Sequence, residues 1–188
     1  GLTNIGNVVG YERTADGLQP IDGQLYYRGY EICDLVRPIL REHRFGFEEI
    51  AYLLLSGKLP DREELAAFSA LLVSNMPLEP KTTLNIIELE GSNIMNILAR
   101  SVLELYTFDS TPDDTSRDNL MRQSVELVSK FPTIIAYAYN MLRHKRFDRS
   151  LHIRHPQERL TLAENFLYML KGDYTELEAR TLDLLLIL

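Results

Sequence analysis

From Asp34 onward the apolar residues of this chain recur at helical spacing, and the alternation of its first 30 residues never returns. Phe47, Ile50, Ala51, Leu54 and Leu55 fall at i, i+3, i+4 intervals, and Ser56-Gly57 closes that stripe. Asp61 and Glu64, just after Pro60, are the N-cap and N3 residues of a capping box. They open a helix through Leu65, Phe68, Leu71 and Leu72 that stops near Pro77. Thr82 to Leu89 forms a third pattern, and Gly91-Ser92 starts a fourth through Ile94, Ile97, Leu98, Val102, Leu105 and Tyr106. Asp109 to Asp114, with Pro112, reads as a polar loop. A long helical region follows from Arg117 to about His144, and Pro132 is expected to end or kink it near Phe131. Leu142 to His155 is basic and poorly periodic, which predicts a loop. Gln157 to Lys171 predicts a helix capped by Gly172, and Thr175 with Glu178 makes a second capping box for the last one. About eight helices without αβ alternation predict an all-α, multi-helical fold.

The exception is the N-terminal stretch. Val8 to Tyr11, Gly17 to Ile21 and Gln24 to Arg28 are short extended runs. Asp16-Gly17 and Asp22-Gly23 between them are expected to form tight turns, and Pro20 to hold its strand at an edge. The expected organisation is a short β-rich hairpin segment over 1–33 and a helical region over 34–188.

Composition removes several function classes. A net charge of -7 and a pI near 5.1 argue against a nucleic-acid partner, which calls for a basic face. No apolar run approaches the roughly 20 residues of a membrane span. No secretory leader pattern opens the chain, so a cytoplasmic location is expected. Cys33 is the only cysteine and is expected to be a small core residue rather than a nucleophile. The first residue is Gly1 and the last five are Leu184 to Leu188, all apolar. An uncapped apolar end of this kind is expected of a fragment cut inside a core helix.

The titratable residues offer one cluster. His43 lies among Arg41, Glu42 and Arg44 and is expected to be a solvated loop residue. His144, His152 and His155 lie with Arg143, Lys145, Arg146, Arg149, Arg154 and Arg159 in the basic stretch 143–159. Those cations would repel a metal ion, and no zinc-type spacing occurs, so no metal site is expected. An anion site there is open, against the alternative of a solvated basic loop. No nucleotide-binding or hydrolase motif appears, and no catalytic constellation is complete.

Two blocks are more specific than periodicity. The first is Ile21 to Leu35 (IDGQLYYRGYEICDL) with Phe47 to Pro60 (FEEIAYLLLSGKLP). The second is Phe131 to Tyr139 (FPTIIAYAY), Leu162 to Leu170 (LAENFLYML) and Glu178 to Leu188 (EARTLDLLLIL). In order and spacing they resemble the amino-terminal half of the citrate synthase family, over nearly the whole chain. The chain departs from the family at Arg37 to Arg44, which is longer than the usual link. It also departs at Asn93-Ile94-Met95-Asn96, where the family often has His-Pro-Met-Asp, and at Arg159-Leu160-Thr161-Leu162, where Asp-Leu-Ser-Tyr is common.

The resemblance implies the large helical domain of an acyltransferase that condenses acetyl-CoA with oxaloacetate, with no metal and no cofactor beyond the CoA thioester substrate. It implies a homodimer paired through the counterparts of Ser92 to Phe108 and Phe131 to Arg143. The family's catalytic histidines, arginines and aspartate follow the Leu-Ile-Leu stretch. The expectation is therefore that no catalytic residue lies in 1–188, that CoA-binding residues are undetermined, and that this piece is inactive alone. A 2-methylcitrate synthase fragment and a non-catalytic helical dimerisation module are the alternatives.

Overall fold

The computed structural model describes residues 3–89 and 91–188. They divide into two compact units, Gly1–Ala66 with Arg180–Leu188, and Ala67–Ala179.

In the first unit, β1 (Gly6–Thr14) and β2 (Gly17–Tyr27) pair antiparallel, and β3 (Tyr30–Glu31) adds to the end of β2. The first turn is Ala15-Asp16, between the paired Thr14 and Gly17 and one residue ahead of the expected Asp16-Gly17, with Gly17 opening β2 at positive φ. Asp22-Gly23 does not turn the chain. Between the pairs Val9↔Gln24 and Tyr11↔Pro20, Gly10 alone opposes Ile21, Asp22 and Gly23, so that dipeptide is absorbed in a bulge. The second turn is Arg28-Gly29, both at positive φ (49° and 87°), between the paired Tyr27 and Tyr30. Two successive positive φ values are the type I′ geometry that suits strand twist. Arg28 is held in this uncommon conformation by its side chain, whose Nε and Nη2 donate to the Leu54 carbonyl at 3.1 and 2.6 Å. Pro20 lies in the middle strand by order, but β3 pairs only with Tyr26 and Tyr27, so Pro20 has a single strand partner.

Helices α1 (Ile32–Arg41) and α2 (Phe47–Ser56) build the core of this unit. Leu35, Ile39, Ile50 and Leu53 are buried together with Ile187, and Tyr27, Leu54 and Leu184 pack around them. Gly57 ends α2 in the left-handed conformation that its stripe predicted. The Tyr27 hydroxyl donates to the Ile187 carbonyl at 2.9 Å. Asp183, 1% exposed, accepts from the backbone N–H groups of Gly46 at 2.7 Å and Phe47 at 3.1 Å, where α2 begins. Of the apolar final residues, Ile187 and Leu184 face this core, whereas Leu185 and Leu188 are exposed. The Asp61–Glu64 capping box opens α3 (Arg62–Ser74), with reciprocal bonds of 2.8 and 3.0 Å.

The second unit centres on one long helix. Around it lie α4 (Pro80–Glu88), α5 (Ile94–Leu105), a 3-10 turn at Tyr106–Phe108 and α7 (Leu162–Lys171). The central helix, α6, runs from Arg117 to Phe147 without a break at Pro132. A helix-interior proline costs about 3 kcal/mol. Here the turns flanking it bury Ser129, Thr133, Ile134, Ala136 and Tyr137, all at 0–1% exposure, and Thr133 Oγ1 donates to the Met76 carbonyl at 2.9 Å. Packing of that size overrides the local penalty. The same helix corrects the predicted loop at Leu142 to His155: residues 142–147 are its last turns, and Asp148 at φ 49° ends it. Those turns carry His144, Lys145 and Arg146 instead of an apolar stripe, and cations favour a helix C-terminus through the helix dipole.

Helix α7 begins at Leu162 rather than Gln157, because Thr161 and Glu164 form its capping box. Residues 157–160 are held as a turn by Asn165, fully buried, whose Nδ2 donates to the Gln157 and Leu160 carbonyls (both 3.0 Å) while its Oδ1 accepts from Gln157 N–H at 2.7 Å.

The last helix, α8 (Glu176–Ile187), opens with the predicted Thr175–Glu178 box. The Lys171 ammonium, with the Thr175 N–H and hydroxyl, holds the Glu178 carboxyl down from 4.5 to about 2. A depressed carboxyl stabilises the fold fully above its unfolded value and stops doing so as pH falls through the folded one. The difference in thermal midpoint between the protein and Glu178→Gln is therefore expected to be greatest above pH 4.5 and to close as pH falls toward about 2. A gap constant across that window in thermal melts would exclude this ion pair as its source.

Candidate functional site

The histidines do not converge. His43 is exposed in the turn after α1, at φ 52°, and its Nδ1 accepts from Arg180 Nη1 at 3.0 Å. His144 is on α6, where its Nδ1 donates to the Arg149 carbonyl at 2.7 Å. Among the described residues no His, Cys, Asp and Glu group of three or more is placed to hold a metal ion. Cys33 is corrected from core to surface: it is exposed on α1, and its thiol is pushed up by the hydrogen bond it donates to the Glu31 carboxylate and by that residue's charge. A thiol held protonated in this way is a poor nucleophile.

The described residues of the second unit form two concave regions that bear on function. One, of about 490 Å³, lies between α5, the 106–112 segment and α6. Its cations are already paired. Arg122 bonds Asp109 at 2.6 Å and Glu126 at 2.9 Å, Gln123 donates to the other Asp109 oxygen at 2.8 Å, and Lys130 pairs with Glu126. The Thr111 N–H and Gln123 amide, with Arg122, hold the Asp109 carboxyl below its usual range. Asn119 closes the network by donating to the carbonyls of Thr111 and Asp114 at 2.9 and 2.7 Å. This is a fastened loop whose cations are all paired with carboxylates, and the remaining lining charge, Glu79, is acidic.

The second region is a cleft of about 300 Å³ at the ends of α6 and α7, lined by Asn140, Arg143, Arg149, His152, Arg154 and Lys171 among others. From the basic stretch 143–159 the fold brings Arg143, Arg149, Ser150, His152 and Arg154 here, while Lys145 turns away to donate to the Leu89 carbonyl at 3.0 Å. Asn140 and Lys171 join from helices outside that stretch, and no local pattern marks them in the sequence.

The blocks that departed from the expected family pattern keep their structural roles. Asn93 caps α5, its side chain accepting from Asn96 N–H at 3.2 Å. Thr161 caps α7, and Leu162 is buried at 2% exposure.

Comparison with known proteins settles the family. The profile described as "Citrate synthase, C-terminal domain" matches residues 2–188. The chain belongs to the citrate synthase family. A citrate synthase of Haloferax volcanii is 34% identical over 172 residues, which are 88% of this chain and 42% of that protein. The crystal structure of citrate synthase from Pyrobaculum aerophilum superposes with a TM-score of 0.81 at 30% identity, covering 100% of this chain and 44% of that one. A Bacillus subtilis relative named citrate/2-methylcitrate synthase is 27% identical over 184 residues, 96% of this chain and 46% of its own length. The chain thus spans less than half the length of these citrate synthases. The predicted all-α, multi-helical fold with a small N-terminal sheet agrees with both the architecture and this membership. No helix among the described residues is long and apolar enough to cross a membrane.

Proposed function

We propose that this chain is part of the large domain of a citrate synthase, an acyltransferase joining acetyl-CoA to oxaloacetate to give citrate and CoA. The observation that carries the reading is the family match over residues 2–188, with only 42–46% of the relatives' length covered. In this reading 1–33 is a β-rich appendage, 34–188 is a helical portion of the large domain, and the groups that abstract a proton and stabilise the enolate lie outside these residues. Such chemistry needs preorganised donors at the developing oxyanion and a site closed to water. No metal or cofactor is assigned beyond the CoA thioester, and the location is cytoplasmic.

The proposed homodimer pairs the segments Ser92 to Phe108 and Phe131 to Arg143. Supporting it, α5 and the 3-10 turn leave Met95 at 68%, Leu103 at 74% and Tyr106 at 56% exposure, and Tyr139 on α6 is 41% exposed. Apolar side chains grouped in this way mark association surfaces. A 2-methylcitrate synthase is the second reading, favoured by the Bacillus subtilis relative whose name includes both products.

One preparation tests the proposal. The purified 188-residue chain is expected to release no CoA from acetyl-CoA or propionyl-CoA with oxaloacetate, and to sediment as a dimer or larger. Turnover with either thioester would refute the placement of the catalytic groups and name the acyl preference. A monomer at high concentration would refute the pairing.

A further inference from the structure

We draw no further inference here: the strongest candidate, the apolar surface patch that the exposed Val8, Tyr11 and Leu18 form on the β1–β2 hairpin, is an unpartnered sheet face, and nothing in the structure shows what covers it.

Discussion

Asp183→Ala is expected to destabilise the protein by about 3–5 kcal/mol, the range for removing one side of a buried, charge-assisted network. The carboxylate is 1% exposed and accepts two backbone N–H groups at the start of α2, from Gly46 and Phe47. It acts as a helix cap supplied from 137 residues away in sequence. Without it, the buried Gly46 N–H and the part-buried Phe47 N–H lose their acceptor, and the helix dipole loses its counter-charge. Asp183→Asn keeps one acceptor oxygen and is expected to cost roughly half as much. Urea denaturation of the two variants gives both numbers. A loss below about 1 kcal/mol in the alanine variant would mean that water or a neighbour replaces the carboxylate, contrary to its burial.

Asn165→Ala is expected to cost about 3 kcal/mol, since three part-buried backbone groups lose their side-chain partner at once. One amide serves Gln157 N–H, Gln157 C=O and Leu160 C=O, so the turn ahead of α7 depends on a single residue. For a chain of this length the thermal midpoint should fall by roughly 6–12 °C. Asn165→Asp is the sharper test. It is isosteric and keeps the acceptor for Gln157 N–H, but it faces two carbonyl oxygens with a carboxylate where an amide donated. The expected loss is at least as large as for alanine. If aspartate were tolerated while alanine was not, shape rather than the two donated bonds would be holding the turn.

The capping boxes at Asp61–Glu64 and Thr175–Glu178 and the left-handed stop at Gly57 lie where their residues predict. The Thr161–Glu164 box starts α7 inside the stretch that the pattern from Gln157 predicts as helix. The Arg28-Gly29 turn has no comparable local signal, since Arg is a poor residue for positive φ and its side chain is held by the distant Leu54 carbonyl. The candidate site was half legible. The stretch 143–159 showed an excess of cations, but which of them share a cleft depended on where α6 ended and on Lys171 of α7.

By itself the sequence determined the helical class, most helix starts and stops, and the family, because caps, stripes and motif blocks involve residues within a few positions of one another. Only the tertiary structure decided that α6 continues through Pro132, that Asp183 caps α2, and that Arg149 and Arg154 face a common cleft. Each of those outcomes depends on groups that are far apart in the chain. Burial raises both the value of a satisfied bond and the penalty for a missing one, so such distant contacts outweigh what local propensity favours.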